Sequence, residues 1–309
     1  MASQNVLRLG TRASALARWQ ADWVSAQLAE ADVRVELVPI TTTGDERRSG
    51  PVGSLGTQGV FTKEIQRALL ERTIDIAVHS LKDLPTEPVP GLVLAAVPIR
   101  EVPGDALLCR EAKSLASLPH GAILGTGSLR RQAQILHVRP DLVARDIRGN
   151  VETRIGKLEA GDYDAIVLAQ AGLERLKLSD RITERLSMEI CLPAVGQGAL
   201  GIECREDDTA TLEQVSMLND ASTHSCVLAE RALLASLRGG CLAPVAAWGR
   251  MEGETLRLTA RVLSFDGRTL LAENDSAAPN EAETLGNRVA ESLRRHGSDD
   301  LIAAARDRS

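Results

Sequence analysis

Short apolar runs alternate with longer stretches in which apolar residues return every three or four positions, and this alternation predicts the elements of most of the chain. Val6 to Leu9 reads as a strand, Ser14 to Ala31 as a helix with Leu16, Trp19, Trp23 and Leu28 along one face, and Val33 to Ile40 as a second strand. The polar, glycine-bearing stretch Thr41 to Gly59 is long enough to expect a lid or binding loop. Phe61, Ile65 and Leu69 mark the next helix, and Ile74 to Val78 the next strand, before a loop holding Pro85, Pro88 and Pro90. A second unit opens near Gly104. Strands at Ala106 to Cys109, Ala122 to Leu124, Leu142 to Ile147 and Ala165 to Leu168 alternate there with helices at Ser128 to Val138, Val151 to Leu158 and Ala171 to Leu176. Such alternation predicts α/β lobes, each a mostly parallel sheet with helices on both faces and ligands at the carboxyl ends of its strands.

The glycines and proline of Leu192-Pro-Ala-Val-Gly-Gln-Gly-Ala-Leu-Gly-Ile-Glu203 read as a hinge running into a strand that crosses back to the first lobe. After a helical stretch from Ala221 to Leu237, the runs Ala243 to Met251, Thr255 to Leu263 and Thr269 to Ala272 predict a three-stranded antiparallel sheet, closed by helices after Asn280. The expected organisation is three domains: 1–98 with 199–216, 104–192, and a small α+β domain over 221–309.

Composition narrows the function. The 309 residues are 44% hydrophobic and 25% charged, which suits a globular enzyme rather than a disordered chain. Only 2% are aromatic and the formal net charge is −6, so neither base stacking nor a basic field supports nucleic-acid binding. No uncharged apolar run is long enough to span a bilayer, and the first residues lack the basic and apolar segments of a secretory signal, so a cytoplasmic protein without membrane contact is expected. The five cysteines, at 109, 191, 204, 226 and 241, form no C-x-x-C pair. No metal site or disulfide framework is suggested, and four of them read as small buried hydrophobes.

The candidate chemistry begins with Arg130 and Arg131, in the first turn of a helix that follows Gly121-Ala-Ile-Leu-Gly-Thr-Gly-Ser128. A helix start is fractionally positive and exposes unpaired N–H groups, so each cation there costs up to about 1 kcal/mol unless an anion is present. Arg12, before a helix opening at Ser14, and Arg148, before one opening near Asn150, repeat the arrangement; Arg154 and Arg175 add to it. Guanidinium groups bind carboxylate or phosphate bidentately, and with no Walker or dinucleotide fingerprint a polycarboxylate fits better than a nucleotide. Asp83, in His79-Ser-Leu-Lys-Asp-Leu-Pro85, is either a turn aspartate or a carboxylate that accepts N–H groups and moves a proton. Cys241, between Arg238-Gly-Gly and Leu-Ala-Pro, is either a structural thiol or one held on a mobile loop as a nucleophile or attachment point. His79 and His224 are candidate bases for it to which spacing assigns no role.

Taken together, Leu9-Gly-Thr-Arg-Ala-Ser14, Thr43-Gly-Asp45, Phe61-Thr-Lys-Glu64, Asp75-Ile-Ala-Val-His-Ser-Leu-Lys-Asp-Leu-Pro85, Gly125-Thr-Gly-Ser-Leu-Arg-Arg-Gln132, Arg148-Gly-Asn150, Leu192-Pro-Ala-Val-Gly-Gln-Gly-Ala199 and Gly239-Gly-Cys241 resemble the porphobilinogen deaminase (hydroxymethylbilane synthase) family across essentially the whole chain. The resemblance implies two lobes like those of periplasmic binding proteins and a third domain carrying one covalent dipyrromethane on a cysteine, here Cys241, through a thioether. It implies a transferase of tetrapyrrole and heme biosynthesis that joins four porphobilinogen molecules head to tail with loss of ammonia, acting as a monomer. Asp83 would contact pyrrole N–H groups, stabilise the cationic azafulvene formed on loss of ammonia and assist proton transfer. Lys82, Ser128, Arg130, Arg131 and Arg154, with Asp45 and Thr126, would hold the cofactor. Arg12, Ser14, Gln20, Arg148, Arg154 and Arg175 would grip substrate or the growing chain.

Three positions depart from the family pattern: Gln58 stands in place of a lysine, Gly127 in place of a serine, and Leu242 in place of glutamine or serine. Two other classes compete. A non-catalytic two-lobed binder of a small dicarboxylate leaves Cys241 and the third domain unexplained, and a phosphate-sugar enzyme would carry no adduct.

Overall fold

The computed structural model describes residues 6–41, 62–239 and 243–306. They fall into two compact units, Met1–Arg100 with Ala199–His224, and Glu101–Gly198 with Ser225–Ser309.

In the first unit, β1 (Leu7–Thr11), β2 (Val35–Pro39), β3 (Ile76–Ser80), β4 (Leu92–Ala96) and β10 (Leu200–Arg205) form one sheet in the order β2-β1-β3-β10-β4. β1 pairs parallel with β2 and β3, whereas β10 is antiparallel to both of its neighbours, so four strands run one way and the returning strand runs against them. The segment expected to cross back does so, as β10. Helices α1 (Ala15–Glu30), α2 (Lys63–Leu70) and α6 (Thr209–Ser216) belong to this unit. Of the predicted stripe on α1 Leu28 is buried, whereas Leu16, Trp19 and Trp23 are half-buried, and the other buried positions are Gln20, Ala21 and Val24. Small Ala21 and Val24 let the helix approach the sheet closely, Gln20 is tolerated inside because its amide is satisfied, and Trp23 packs at the margin of the core around Leu7, Leu9, Ile76 and Ile202.

The second unit repeats the strand pattern. β5 (Asp105–Cys109), β6 (Ile123–Gly125), β7 (Val143–Arg145), β8 (Ala165–Ala169) and β9 (Glu184–Arg185) lie in the order β7-β6-β8-β5-β9, with β5 antiparallel to its neighbours. Helices α3 (Leu129–Val138), α4 (Val151–Glu159) and α5 (Gln170–Arg175) follow β6, β7 and β8. α7 (Ala221–Ser236) then leads to the antiparallel sheet β11 (Val245–Glu252), β12 (Thr255–Leu263) and β13 (Leu270–Ala277), and α8 (Ala282–Arg295) and α9 (Ser298–Arg306) complete the described chain. Val227, Ala229 and Leu233 of α7 are buried, and Ala229 and Leu233 pack with Leu256, Leu258, Ala260, Leu285 and Val289 in one core. β4 and β9 were not predicted: the first follows a proline-rich loop that hides its pattern, and the second is only two residues long. Among the described residues no helix is long and apolar enough to cross a membrane.

The entry to β3 is held by charge. Asp75 accepts from Arg8 Nε at 2.9 Å and Nη2 at 2.8 Å, from the Arg8 backbone N–H at 3.0 Å, and from Arg205 Nη2 at 3.1 Å. Burial pushes the carboxyl up, but these donors outweigh it and bring its pKa to about 2. Because the folded value lies below the unfolded value of about 3.9, the associated stability of roughly 2 kcal/mol is fully present above the unfolded value and disappears as pH falls through about 2. Asp75→Asn should therefore cost about 2 kcal/mol or more in urea unfolding at pH 7, with the gap from the parent protein closing progressively in acid. A gap that does not change with pH would contradict this.

Candidate active site

In the first unit the functional candidates surround the end of β3. Ser14 is the N-cap of α1, its Oγ accepting the Ala17 N–H at 3.3 Å, which places Arg12 and Ser14 together at the junction after β1. Buried Gln20 donates its amide to Ser80 Oγ at 2.7 Å and so ties α1 to the last residue of β3. A single 3₁₀ turn, Leu81–Asp83, comes next. Leu81 and Leu84 are buried on either side of it and the Leu81 N–H bonds to Ala199 O, so Lys82 is left half-buried and Asp83 exposed. Two apolar anchors thus present the carboxylate on a short rigid turn. Behind the turn, His79 Nε2 lies 2.9 Å from Glu203 Oε2, and Gln66 donates to both carboxylate oxygens of Glu203 at 3.1 Å. His224 Nδ1 sits 2.8 Å from Asn219 Oδ1.

In the second unit the arginines of α3 are not surface cations. Arg130 and Arg131 are 4% and 6% exposed, and both close on Asp105, which is fully buried at the start of β5. Arg130 Nη1 donates to Oδ2 at 2.7 Å, and Arg131 donates to Oδ1 from Nε at 3.0 Å and Nη2 at 2.8 Å. The anion expected at this helix start is in part the chain's own. Carbonyls of Leu192 and Val167 accept further guanidinium hydrogens at 2.7 and 3.0 Å, and Gln197 donates to Asp105 Oδ1 at 2.9 Å. Burial alone would raise the Asp105 pKa, but the two guanidinium groups hold it well below the carboxylate range. Cys191, read from sequence as a hydrophobe, lies with its Sγ 3.3 Å from Asp105 Oδ2; burial pushes this thiol up to about 12, so it stays a neutral S–H donor. Among the described residues Arg130 Nε, which is buried, has no hydrogen-bond partner.

Around this cluster, Ser128 occupies the N-cap of α3 without a side-chain capping bond, and its N–H donates to Thr126 Oγ1 at 3.2 Å. Arg148 precedes the next helix and Arg154 lies in its first turn. Arg148 Nε donates to Asp146 at 2.6 Å, Arg154 Nε donates to Gly149 O at 2.8 Å, and Asn150 caps α4. At Gly127 a Cβ would lie 2.9 Å from Asp146 Oδ1, so the glycine found where the family pattern has serine lets Asp146 approach. Arg175, 8% exposed, donates to the carbonyl of Gly198 at 2.7 Å. The Leu192–Gly198 strap is held again by Glu230, whose carboxylate accepts the N–H groups of Gly196 at 2.7 Å and Gly249 at 2.8 Å. The β12–β13 turn rests on α3, with Gly267 O 2.7 Å from His137 Nδ1. Asp45, Gln58, Cys241 and Leu242 lie outside the described residues. Asp105, Gln197 and Glu230, which hold the arginines and the strap in place, were not anticipated from the sequence. Gln197 had a signal in its glycine-flanked motif, whereas Asp105 looked like an ordinary residue before a strand.

The chain matches the family described as "Porphobilinogen deaminase, dipyromethane cofactor binding domain" over residues 7–213 and that described as "Porphobilinogen deaminase, C-terminal domain" over residues 224–295. It is 50% identical over 304 residues to the porphobilinogen deaminase of Syntrophotalea carbinolica, covering 98% of this chain and 96% of that one. It is also 50% identical over 299 residues to that of Geobacter metallireducens, covering 96% and 94%. A crystal structure of the methionine binding protein MetQ aligns with 70% of this chain and 90% of its own at 14% identity and a TM-score of 0.46.

Gly198 combines a φ of +85° with backbone crowding, since a Cβ there would lie 2.5 Å from Glu101 O. Gly198→Ala should therefore destabilise the protein by about 2 kcal/mol or more in denaturant titration; a loss within about 0.5 kcal/mol would contradict the geometry.

Proposed function

The chain belongs to the porphobilinogen deaminase family, and on that premise we propose how its residues divide the work of joining four porphobilinogen molecules into hydroxymethylbilane with release of ammonia. The observation that carries the assignment of the cofactor is the buried cluster on α3, where two guanidinium groups face one carboxylate and a positive charge is left over. A dipyrromethane carries acetate and propionate arms, and this surplus, together with an N-terminal helix turn that Ser128 does not cap, suits such an arm. A non-catalytic dicarboxylate binder explains neither the family membership nor a cofactor domain.

Arg130, Arg131, Ser128, Thr126, Arg154 and Lys82, with Asp45, hold the cofactor in this reading, and Cys241 anchors it as a thioether. When bound, the cofactor supplies a primer whose free pyrrole end accepts the first substrate. Asp83 accepts pyrrole N–H groups, offsets positive charge as ammonia departs and carries a proton between ring and leaving amine; its exposed place on a rigid turn suits a group that must meet successive rings. Arg12, Arg148 and Arg175 bind substrate carboxylates, while Ser14 and Gln20 fix the surroundings, Ser14 by capping α1 and Gln20 by bracing the strand end before Asp83. Asp146 must release Arg148 when a substrate carboxylate arrives; their mutual contact is solvent-exposed and so holds weakly. The three-domain division, a monomeric state and a cytoplasmic location complete the proposal. Among the described residues Cys109, Cys191, Cys204 and Cys226 form no disulfide, which suits a reducing compartment.

Two variants test these roles. Asp83→Asn should fold and retain the adduct, yet lose about 10²- to 10⁴-fold in ammonia release under saturating porphobilinogen; near-normal turnover would remove Asp83 from the chemistry. Cys241→Ser should show the mass of the polypeptide alone, and a bound dipyrrole on that variant would place the attachment elsewhere.

A further inference from the structure

We propose that Asp105 is a positioning residue for cofactor loading: it clamps Arg130 and Arg131 in one fixed arrangement and leaves them a single surplus positive charge, to be neutralised by an acid group of the incoming dipyrromethane. This rests on the reading that the α3 arginines hold that cofactor. A buried ion pair kept only for architecture needs one cation per anion, because every unmatched buried charge is costly. Here two guanidinium groups, each more than nine-tenths buried, share a carboxylate with no exposure at all. The remaining neighbours add no negative charge: Cys191 is a thiol, Gln134 and Gln197 are amides, and Val167 and Leu192 offer carbonyls. Arg261 donates to Gln134 Oε1 at 3.3 Å, bringing another cation within one residue of the cluster. Among the described residues Asp105 is the one carboxylate paired with either arginine. The cluster is therefore held in place and still positive, with Arg130 Nε lacking a hydrogen-bond partner among the described residues.

Asp105 touches neither substrate nor cofactor in this account, so its loss should act on loading and leave the chemistry of loaded chains intact. The test is intact-mass spectrometry on folded, full-length protein from a host that makes porphobilinogen. The parent chain should carry the adduct almost completely, and Asp105→Asn, which keeps shape and volume, should lower the adduct-bearing fraction of folded molecules by about ten-fold, with turnover per loaded chain within about two-fold of normal. A merely structural role would lower yield and melting temperature without changing occupancy of the folded fraction, and equal occupancy overturns the proposal. If Asp105→Asn does not accumulate as folded protein, Gln197→Met removes the amide donor to Oδ1 and the acceptor for Arg130 Nη2 while sparing both ion pairs, and should lower occupancy by about two-fold or more; unchanged occupancy again overturns it. A parent chain without adduct would overturn the cofactor reading itself, and this inference with it.

Discussion

Two guanidinium groups buried against one carboxylate impose a constraint that the second unit is built to satisfy. Removing such charges from water costs several kcal/mol each, and each hydrogen that finds an acceptor in good geometry offsets part of that cost. These acceptors come from three separate places in the chain: Asp105 at the mouth of β5, Val167 on β8, and Leu192 and Gln197 on the strap that follows the lobe. The strap is fixed in turn by Arg175 at Gly198 and by Glu230 at Gly196, and the arginine helix is pressed from its other end by the β12–β13 turn. The turn between β12 and β13 thus supports the helix that carries the two arginines.

Each unit uses the same sheet order, three parallel strands followed by one reversed strand and an edge strand. In each, the reversed strand is the one that begins where the chain has just entered from the other unit: β5 shortly after residue 101 and β10 directly after residue 198. Candidate residues gather after the parallel strands, Arg12 after β1, Asp83 after β3, Ser128 with the paired arginines after β6, and Arg148 after β7. Strand ends of this kind leave loops and helix starts free of pairing duties, and that is where polar chemistry can be added without disturbing the core.

Much of this was legible in the sequence because local pattern and local chemistry agreed. The α/β alternation, the antiparallel C-terminal sheet and the return of the chain through the glycine-rich strap were read from periodicity and turn residues, and the family motifs marked Asp83 and the arginines. What escaped depended on partners distant along the chain. Asp105 follows Pro103-Gly104 like any strand opening, and its two partners lie 25 and 26 residues further on. Helix starts were read as needing an external anion, yet part of that anion is internal. The buried face of α1 was only partly anticipated, at Leu28, because an amide, Gln20, is satisfied inside by Ser80 while Trp19 and Trp23 are half-buried.

The claim on which the account depends is that the α3 cluster is incomplete in charge until a carboxylate arm joins it. A crystal structure of the cofactor-loaded protein tests this most directly. The account predicts an acetate or propionate oxygen within hydrogen-bonding distance, about 3 Å, of Arg130 or Arg131, with the contacts to Asp105 retained. A loaded structure in which both arginines meet only Asp105 and backbone carbonyls, while the cofactor's acids bind elsewhere, would contradict it.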